Sequence, residues 1–387
     1  MRKITADILF PMNQSPLNNG VLVLNDAGAI EAILPNADGL MEVEVLEGYL
    51  APGFINSHCH VELSHLHNSL SEQTGIVDFI LGVQTKRNSF SEQDILAAAL
   101  KADSQMQAEG IVAVGDISNN LSSIEIKKKS PIFYHTFFEV IGFNPAAAEK
   151  IIMDALQMQA AAKLIHSSIV PHAPYSVSSK LMQAIAALAN NQTISIHNQE
   201  SAAENIFMHN ASGDFTRLYE KFNIDISYFE AGFDSSLASY IQKFQSQKMG
   251  LVHNTFLSPA DMELAKQSGN EIYFVICANA NLFIENKLPD ISFLQAAGAN
   301  ICLGTDSLAS NHSLSMLAEI NTIRAAYPQI PMAELLQWAT LNGAAFLGLS
   351  DQLGAFKIGS KPGINLINKD LKSLRVIAAA STQKNYI

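Results

Sequence analysis

The chain has 387 residues, of which 48% are hydrophobic and 16% charged, a globular composition that allows one large core with a small companion domain. A formal net charge of −12 excludes the basic stripe that general nucleic-acid binding needs, and no run approaches the ~20 apolar residues of a membrane span. Cys59, Cys277 and Cys302 make no disulfide framework and residues 1–9 lead into no apolar signal segment, so a soluble cytoplasmic protein without nucleic-acid or membrane partners is expected.

Residues 1–50 hold short alternating runs such as Gly20-Val21-Leu22-Val23-Leu24, then a polar turn at 25–28 and a second run at 30–34. From residue 51 the rhythm changes. Short β-rich runs at 54–58, 111–117, 132–141, 164–171, 193–197, 249–253, 271–277 and 300–304 alternate with longer helical patterns. Ser91-Glu92-Gln93-Asp94 has the form of a capping box and opens a helix ending near Glu109, with Gly110 as its stop. Further helical runs cover 146–162, 178–190, 259–267, 314–326 and 331–347, the last stopped by Gly348. Eight such strands predict an α/β fold, a (β/α)8 TIM barrel over residues 51–350. Between the fifth and sixth runs, residues 204–245 are rich in Phe and Tyr. This insertion reads either as a substrate lid or as a helix pair packed on the barrel. The tail returns to β-like runs at 364–367 and 374–378, after Lys361-Pro362-Gly363. Residues 1–50 and 351–387 therefore read as one small β-domain built from both termini, or as two ribbons, which alone are marginal in water.

The chemistry starts at His58-Cys59-His60, at the end of the first strand run. Alternate residues of a strand face one side, so two imidazoles converge, and a divalent metal accounts for their convergence. His197, His253 and Asp306 each follow an apolar run, at the C-terminal edge where barrel enzymes place their catalysts. Three His and one Asp make a donor set suited to Zn2+ or Fe2+. Glu200 follows His197 by one tight turn. It can take a proton from water and deliver it to a leaving group. Glu204 is the local rival.

Pro52-Gly53-Phe54-Ile55-Asn56 with His58 and His60, His197-Asn198-Gln199-Glu200, His253, and Gly304-Thr305-Asp306-Ser307-Leu308-Ala309-Ser310-Asn311 together resemble the amidohydrolase superfamily. The similar branch holds cytosine, guanine, S-adenosylhomocysteine/methylthioadenosine and aminodeoxyfutalosine deaminases. The resemblance runs over nearly the whole chain and implies a (β/α)8 barrel with a β-sandwich formed by both termini. It implies one metal held by His58, His60, His197 and Asp306. His253 would hydrogen-bond the attacking water or the tetrahedral intermediate, Asp306 would help deprotonate the water, and Glu200 would shuttle the proton. Pro171-His172-Ala173-Pro174-Tyr175 is similar to the family's fourth-strand motif, and its His172 would touch a substrate ring nitrogen. Some two-metal relatives place a bridging carboxylated Lys there; Ile169-Val170-Pro171-His172 has none, which implies a single metal. His60-Val61-Glu62-Leu63-Ser64 resembles the aminodeoxyfutalosine deaminase-like members. Glu62, Glu139 and Asn311 complete the expected substrate contacts. Relatives often carry Cys-Pro-x-Ser-Asn after the seventh strand; Cys277-Ala278-Asn279-Ala280-Asn281 keeps the Asn and lacks the Pro and Ser.

The expected activity is metal-dependent hydrolytic deamination of a small heterocycle, 6-aminopurine-like and of the aminodeoxyfutalosine kind. Two alternatives are hydrolysis of another ring C–N or C–Cl bond at the same metal site, and a metal-binding scaffold without catalysis. The other zinc deaminase fold is excluded, because His60-Val61-Glu62 meets no Cys-x-x-Cys. Barrels of this size often pair, so a homodimer is an expectation.

Overall fold

Parallel strands covered by helices are buried on both faces, and they read as near-continuous apolar runs. The strands Ile111–Ser118 and Phe133–Val140 are buried at every residue. In the computed structural model, which describes residues 1–164, 166–188 and 192–382, they belong to a four-stranded parallel sheet. Its other members are Phe54–Cys59 and Ser167–Pro171. A second parallel sheet joins Thr193–Asn198, Lys248–His253, Glu271–Ile276 and Asn300–Leu303. These are the eight expected strands in the expected order, each within a few residues of its predicted span. Ile165, inside the predicted fourth run, lies outside the described residues, as does Asn190 at the predicted end of a helix observed over Ser179–Leu188.

The two sheets close into a barrel at their C-terminal ends. On one seam the Asn56 amide donates to Thr305 Oγ1 at 2.7 Å, and the N–H groups of Thr305 and Asp306 both donate to the His58 carbonyl at 3.0 Å. On the other, the His197 N–H donates to the His172 carbonyl at 3.0 Å. Barrel closure and the candidate site thus share the same residues.

The terminal strands form two further sheets. One holds Arg2–Thr5, Val21–Leu24, Ile30–Leu34 and Val43–Val45. The other runs from Leu374–Ala380 through Pro362–Ile367 and Tyr49–Pro52 to Ile8–Leu9 and Leu17–Asn18, so it takes strands from both ends of the chain. Ile4, Leu9, Leu22, Leu50, Phe356 and Ile364 form one buried apolar cluster drawn from both sheets and both termini. The ribbons are therefore not independent, which gives each an apolar partner that it would lack alone.

Two helical details differ from the pattern. The run at 331–347 is two helices, Met332–Ala339 and Leu341–Phe346. It breaks at Thr340, with φ −136° and ψ −82°, whose hydroxyl donates to the Leu336 carbonyl at 2.6 Å. The aromatic insertion contains the helices Ala202–Asn210 and Phe215–Lys221. Its Phe207, Phe215 and Tyr219 pack with Phe143 and Tyr175. Among the described residues no helix is long and apolar enough to cross a membrane.

Candidate active site

The strand ends converge as their alternation dictates. His58 and His60 project from the first strand with Nε2 atoms 3.1 Å apart. His197 Nε2 lies 3.3 Å from His60 Nε2, and Asp306 Oδ1 lies 3.2 Å from His60 Nε2 and 3.5 Å from His58 Nε2. Four donors about 2.0–2.2 Å from one ion at tetrahedral corners stand about 3.3–3.6 Å apart. The residues present therefore fit a divalent metal. The Nδ1–H of His197 donates to the His172 carbonyl at 2.9 Å, which turns the bare Nε2 toward the centre. His253 also approaches: donor atoms of His58, His197, His253 and Asp306 all lie within 4.8 Å of one another. Burial pulls the His60 imidazole down to about 3 and His253 down to about 4, so both are neutral, the form that binds metal. Burial alone would raise the Asp306 carboxyl, but a hydrogen bond from His58 holds it well below the usual range.

Backbone strain collects here. Gln199, His253, Asn254 and Asp306 have φ of 48°, 76°, 59° and 57°, a left-handed region that non-glycine residues seldom occupy. Next to Asp306, Gly304 is fixed by space rather than by φ. A Cβ there would stand 2.9 Å from His58 Cβ and 3.0 Å from its backbone N and O. Gly304→Ala is expected to cost about 1–3 kcal/mol and to lower metal content through His58. Thermal unfolding and metal analysis check this; unchanged values would show that the His58 backbone yields freely.

Glu200 is buried, with Oε1 3.6 Å from His253 Nε2. Burial raises its carboxyl well above the usual range, and the neighbouring acids Asp306, Glu204 and Glu285 raise it further. His253 places Nδ1 2.7 Å from Asn281 Oδ1, while the Asn281 amide donates to the His253 carbonyl at 3.4 Å. Nδ1 therefore carries the proton, and Nε2 faces Glu200 as an acceptor. Glu204 faces away from the chemistry: its carboxylate accepts the N–H groups of Gln199 and Glu200, each at 3.0 Å, and so holds the turn that aims Glu200.

A cavity of about 1030 Å³ opens onto this centre. His60, His172, His197, Glu200, His253 and Asp306 line its floor. Glu139 also lines it, with Oε1 3.5 Å from His197 Nδ1 and no hydrogen-bond partner. Ligand atoms of Glu139, His172 and His197 lie within 4.8 Å of one another. Glu62 and Asn311 do not line the cavity. Glu62 accepts the Asn119 N–H at 3.0 Å, and the Asn311 amide donates to the Thr305 carbonyl and to Glu319, both at 2.9 Å. Burial pushes the carboxyls of Glu62 and Glu139 up to about 7 each.

The sequence model of the Amidohydrolase family matches residues 49–385. The chain belongs to the amidohydrolase family. A Helicobacter pylori adenosine deaminase is 28% identical over 311 residues, which cover 78% of this chain and 75% of that protein. The crystal structure of Helicobacter pylori aminofutalosine deaminase in complex with methylthio-coformycin superposes with a TM-score of 0.80 at 23% identity, over 95% of this chain and 92% of the other. An adenosine deaminase from Xanthomonas campestris with bound zinc superposes with a TM-score of 0.73 at 20% identity, over 98% and 89% of the two chains. This amidohydrolase is thus a hydrolase of non-peptide carbon–nitrogen bonds, with a buried His/Asp centre fit for a metal.

Two residues that position the site are not among those the sequence assigns to it. Asn119 bridges the buried acids: its N–H goes to Glu62 Oε2, and its amide goes to Glu139 Oε2 at 2.9 Å. It directly follows the strand Ile111–Ser118, in the bend Asn119-Asn120, with no motif around it. Asn281 was visible only as the surviving member of a motif; its hold on His253 spans 28 positions.

Proposed function

We propose that this amidohydrolase holds one divalent metal, zinc or iron, in His58, His60, His197 and Asp306, and hydrolytically deaminates a 6-aminopurine nucleoside. The observation that carries the reading is the placement of Glu200 and His253 together beside a four-donor centre at a cavity floor. The barrel over residues 51–350 carries this chemistry, with 1–50 and 351–387 as the companion domain. A divalent ion in that donor set supplies Lewis-acid chemistry that acidifies water. The chain's own residues do the rest. Asp306 stays ionised and accepts a proton from the water side. His253, with Nδ1–H committed to Asn281, offers Nε2 as an acceptor that orients the attacking water. The raised carboxyl of Glu200 suits a group that takes a proton and then gives it to departing ammonia. His172 and Glu139, which line the cavity beside the centre, are the proposed substrate contacts, His172 toward a ring nitrogen.

The relatives named above act, by their names, on adenine-type nucleosides, which supports this choice of substrate over cytosine or triazines. Aminodeoxyfutalosine stands beside adenosine as a candidate substrate, since relatives of this chain are named for each. The test is ammonia release by the metal-loaded protein from adenosine, aminodeoxyfutalosine, guanine, cytosine and an aminotriazine. Release confined to the 6-aminopurine nucleosides is expected. Turnover only of the triazine, or chloride release from its chloro analogue, would replace this reading.

A further inference from the structure

A buried hydroxyl costs free energy unless it finds a partner. Ser235 and Ser236 stand near the end of the aromatic insertion, both buried, and lead into the 3-10 turn Leu237–Ser239. Their hydroxyls, and that of buried Tyr240 just beyond, all go to one place. The Ser236 hydroxyl donates to Glu204 Oε1, the oxygen that also accepts the Gln199 N–H, while Glu204 Oε2 accepts the Glu200 N–H. The Ser235 hydroxyl donates to Asp261 Oδ1, and Asp261 Oδ2 accepts the Gln199 side-chain amide at 2.9 Å. The Tyr240 hydroxyl donates to Asn198 Oδ1 at 2.9 Å. Asn198, Gln199 and Glu200, three consecutive residues, are thus held from one short segment.

The turn they hold spaces two halves of the chemistry. His197 precedes it as a proposed metal ligand, and Glu200 ends it as the proposed proton carrier. Gln199 between them has φ 48°, a conformation that a non-glycine residue keeps only where its surroundings over-determine it. Glu204 supplies both acceptors for the backbone of this turn, and the Ser236 hydroxyl orients that carboxylate in its turn. We propose that Ser236 is a positioning residue for proton transfer: through Glu204 it fixes the turn that aims Glu200, with Ser235 and Tyr240 as supports. The assignment rests on the deaminase reading above, in which Glu200 carries the proton. The aromatic insertion, which also contributes Phe222 and Tyr228 to the cavity wall, is then part of the scaffold of the catalytic turn.

The experiment measures ammonia release from adenosine and aminodeoxyfutalosine by the metal-loaded protein and by Ser236→Ala, which removes one hydroxyl and leaves the backbone as it is. In the variant kcat should fall on the order of ten- to a hundredfold, the scale on which a misaimed catalytic group costs rate. KM, metal content and melting temperature should stay near those of the unaltered protein. Ser235→Ala, which reaches only the Gln199 side chain through Asp261, should lose less. Glu204→Gln combined with Ser236→Ala should lose no more than Glu204→Gln alone, because both act on one carboxylate. A readout free of activity is amide hydrogen exchange over residues 198–204, which should quicken in Ser236→Ala while the barrel strands stay protected. Unchanged kcat and exchange overturn the assignment. So does a rate loss that comes with lost metal or a lowered melting temperature, the mark of a purely structural role, and so do losses that multiply in the double variant. Ammonia release from neither nucleoside by the unaltered protein sinks the deaminase reading; exchange then decides the hold on the turn, and unchanged exchange overturns that as well.

Discussion

Glu200→Gln lowers the turnover of ammonia release by on the order of a hundred- to ten-thousandfold, the usual share of a general acid–base group. The substitution keeps size and shape, so the turn held by Glu204 through the Gln199 and Glu200 N–H groups is undisturbed. It removes only the ability to hold and release a proton. The carboxyl is suited to that task by its surroundings: burial and the neighbouring acids favour its protonated form. It faces His253 Nε2 across 3.6 Å, so a proton taken on the water side has a short path to a leaving group over the centre. Metal content, measured on the same protein, should stay as in the unaltered chain, because Glu200 is outside the proposed donor set. KM should move little. Turnover near that of the unaltered protein would remove Glu200 from the chemistry.

The parts of the molecule legible in the sequence are those whose signal is local. A strand that ends in a barrel mouth shows an apolar run followed at once by a polar residue. His197 and His253 do this, Asp306 follows its run after Gly304-Thr305, and His58 is marked by its pairing with His60; the structure brings donor atoms of His58, His197, His253 and Asp306 within 4.8 Å. Part of what escaped the sequence depends on separations that no window spans. Asn119 joins Glu62, 57 positions away, to Glu139, 20 positions away. Glu204 looked like a second candidate acid because it shares a stretch with Glu200. Its helix position decides otherwise: with Ser201 as N-cap, Glu204 reaches back to the free N–H groups of the turn. The break at Thr340 is invisible to periodicity, since both halves keep an apolar face and only the hydroxyl bond to Leu336 marks the join. The helix-pair reading of the aromatic insertion is met in its first half, and its second half reaches the cavity. Phe207 and Phe215 bury against the barrel side, while Phe222 and Tyr228 line the cavity.

His60→Ala and His253→Ala separate two readings of the metal centre, and they should fail in opposite ways. Proximity alone groups His253 with His58, His197 and Asp306. Edge lengths favour His60, whose Nε2 lies 3.1, 3.3 and 3.2 Å from donor atoms of His58, His197 and Asp306. Those separations suit one ion bound by all four. His253 instead commits Nδ1–H to Asn281 and points Nε2 at Glu200, the orientation of a group that handles water. His60→Ala should therefore lose metal. After dialysis its content falls well below one ion per chain, and the affinity drop exceeds the ~10–100-fold typical of an outer-shell partner. His253→Ala should keep close to one ion per chain and lose on the order of a hundredfold or more in turnover. Metal analysis and ammonia release on the two variants, with melting temperatures to confirm folding, decide between them. The reverse pattern would make His253 the ligand and leave His60 to meet the substrate at the cavity floor.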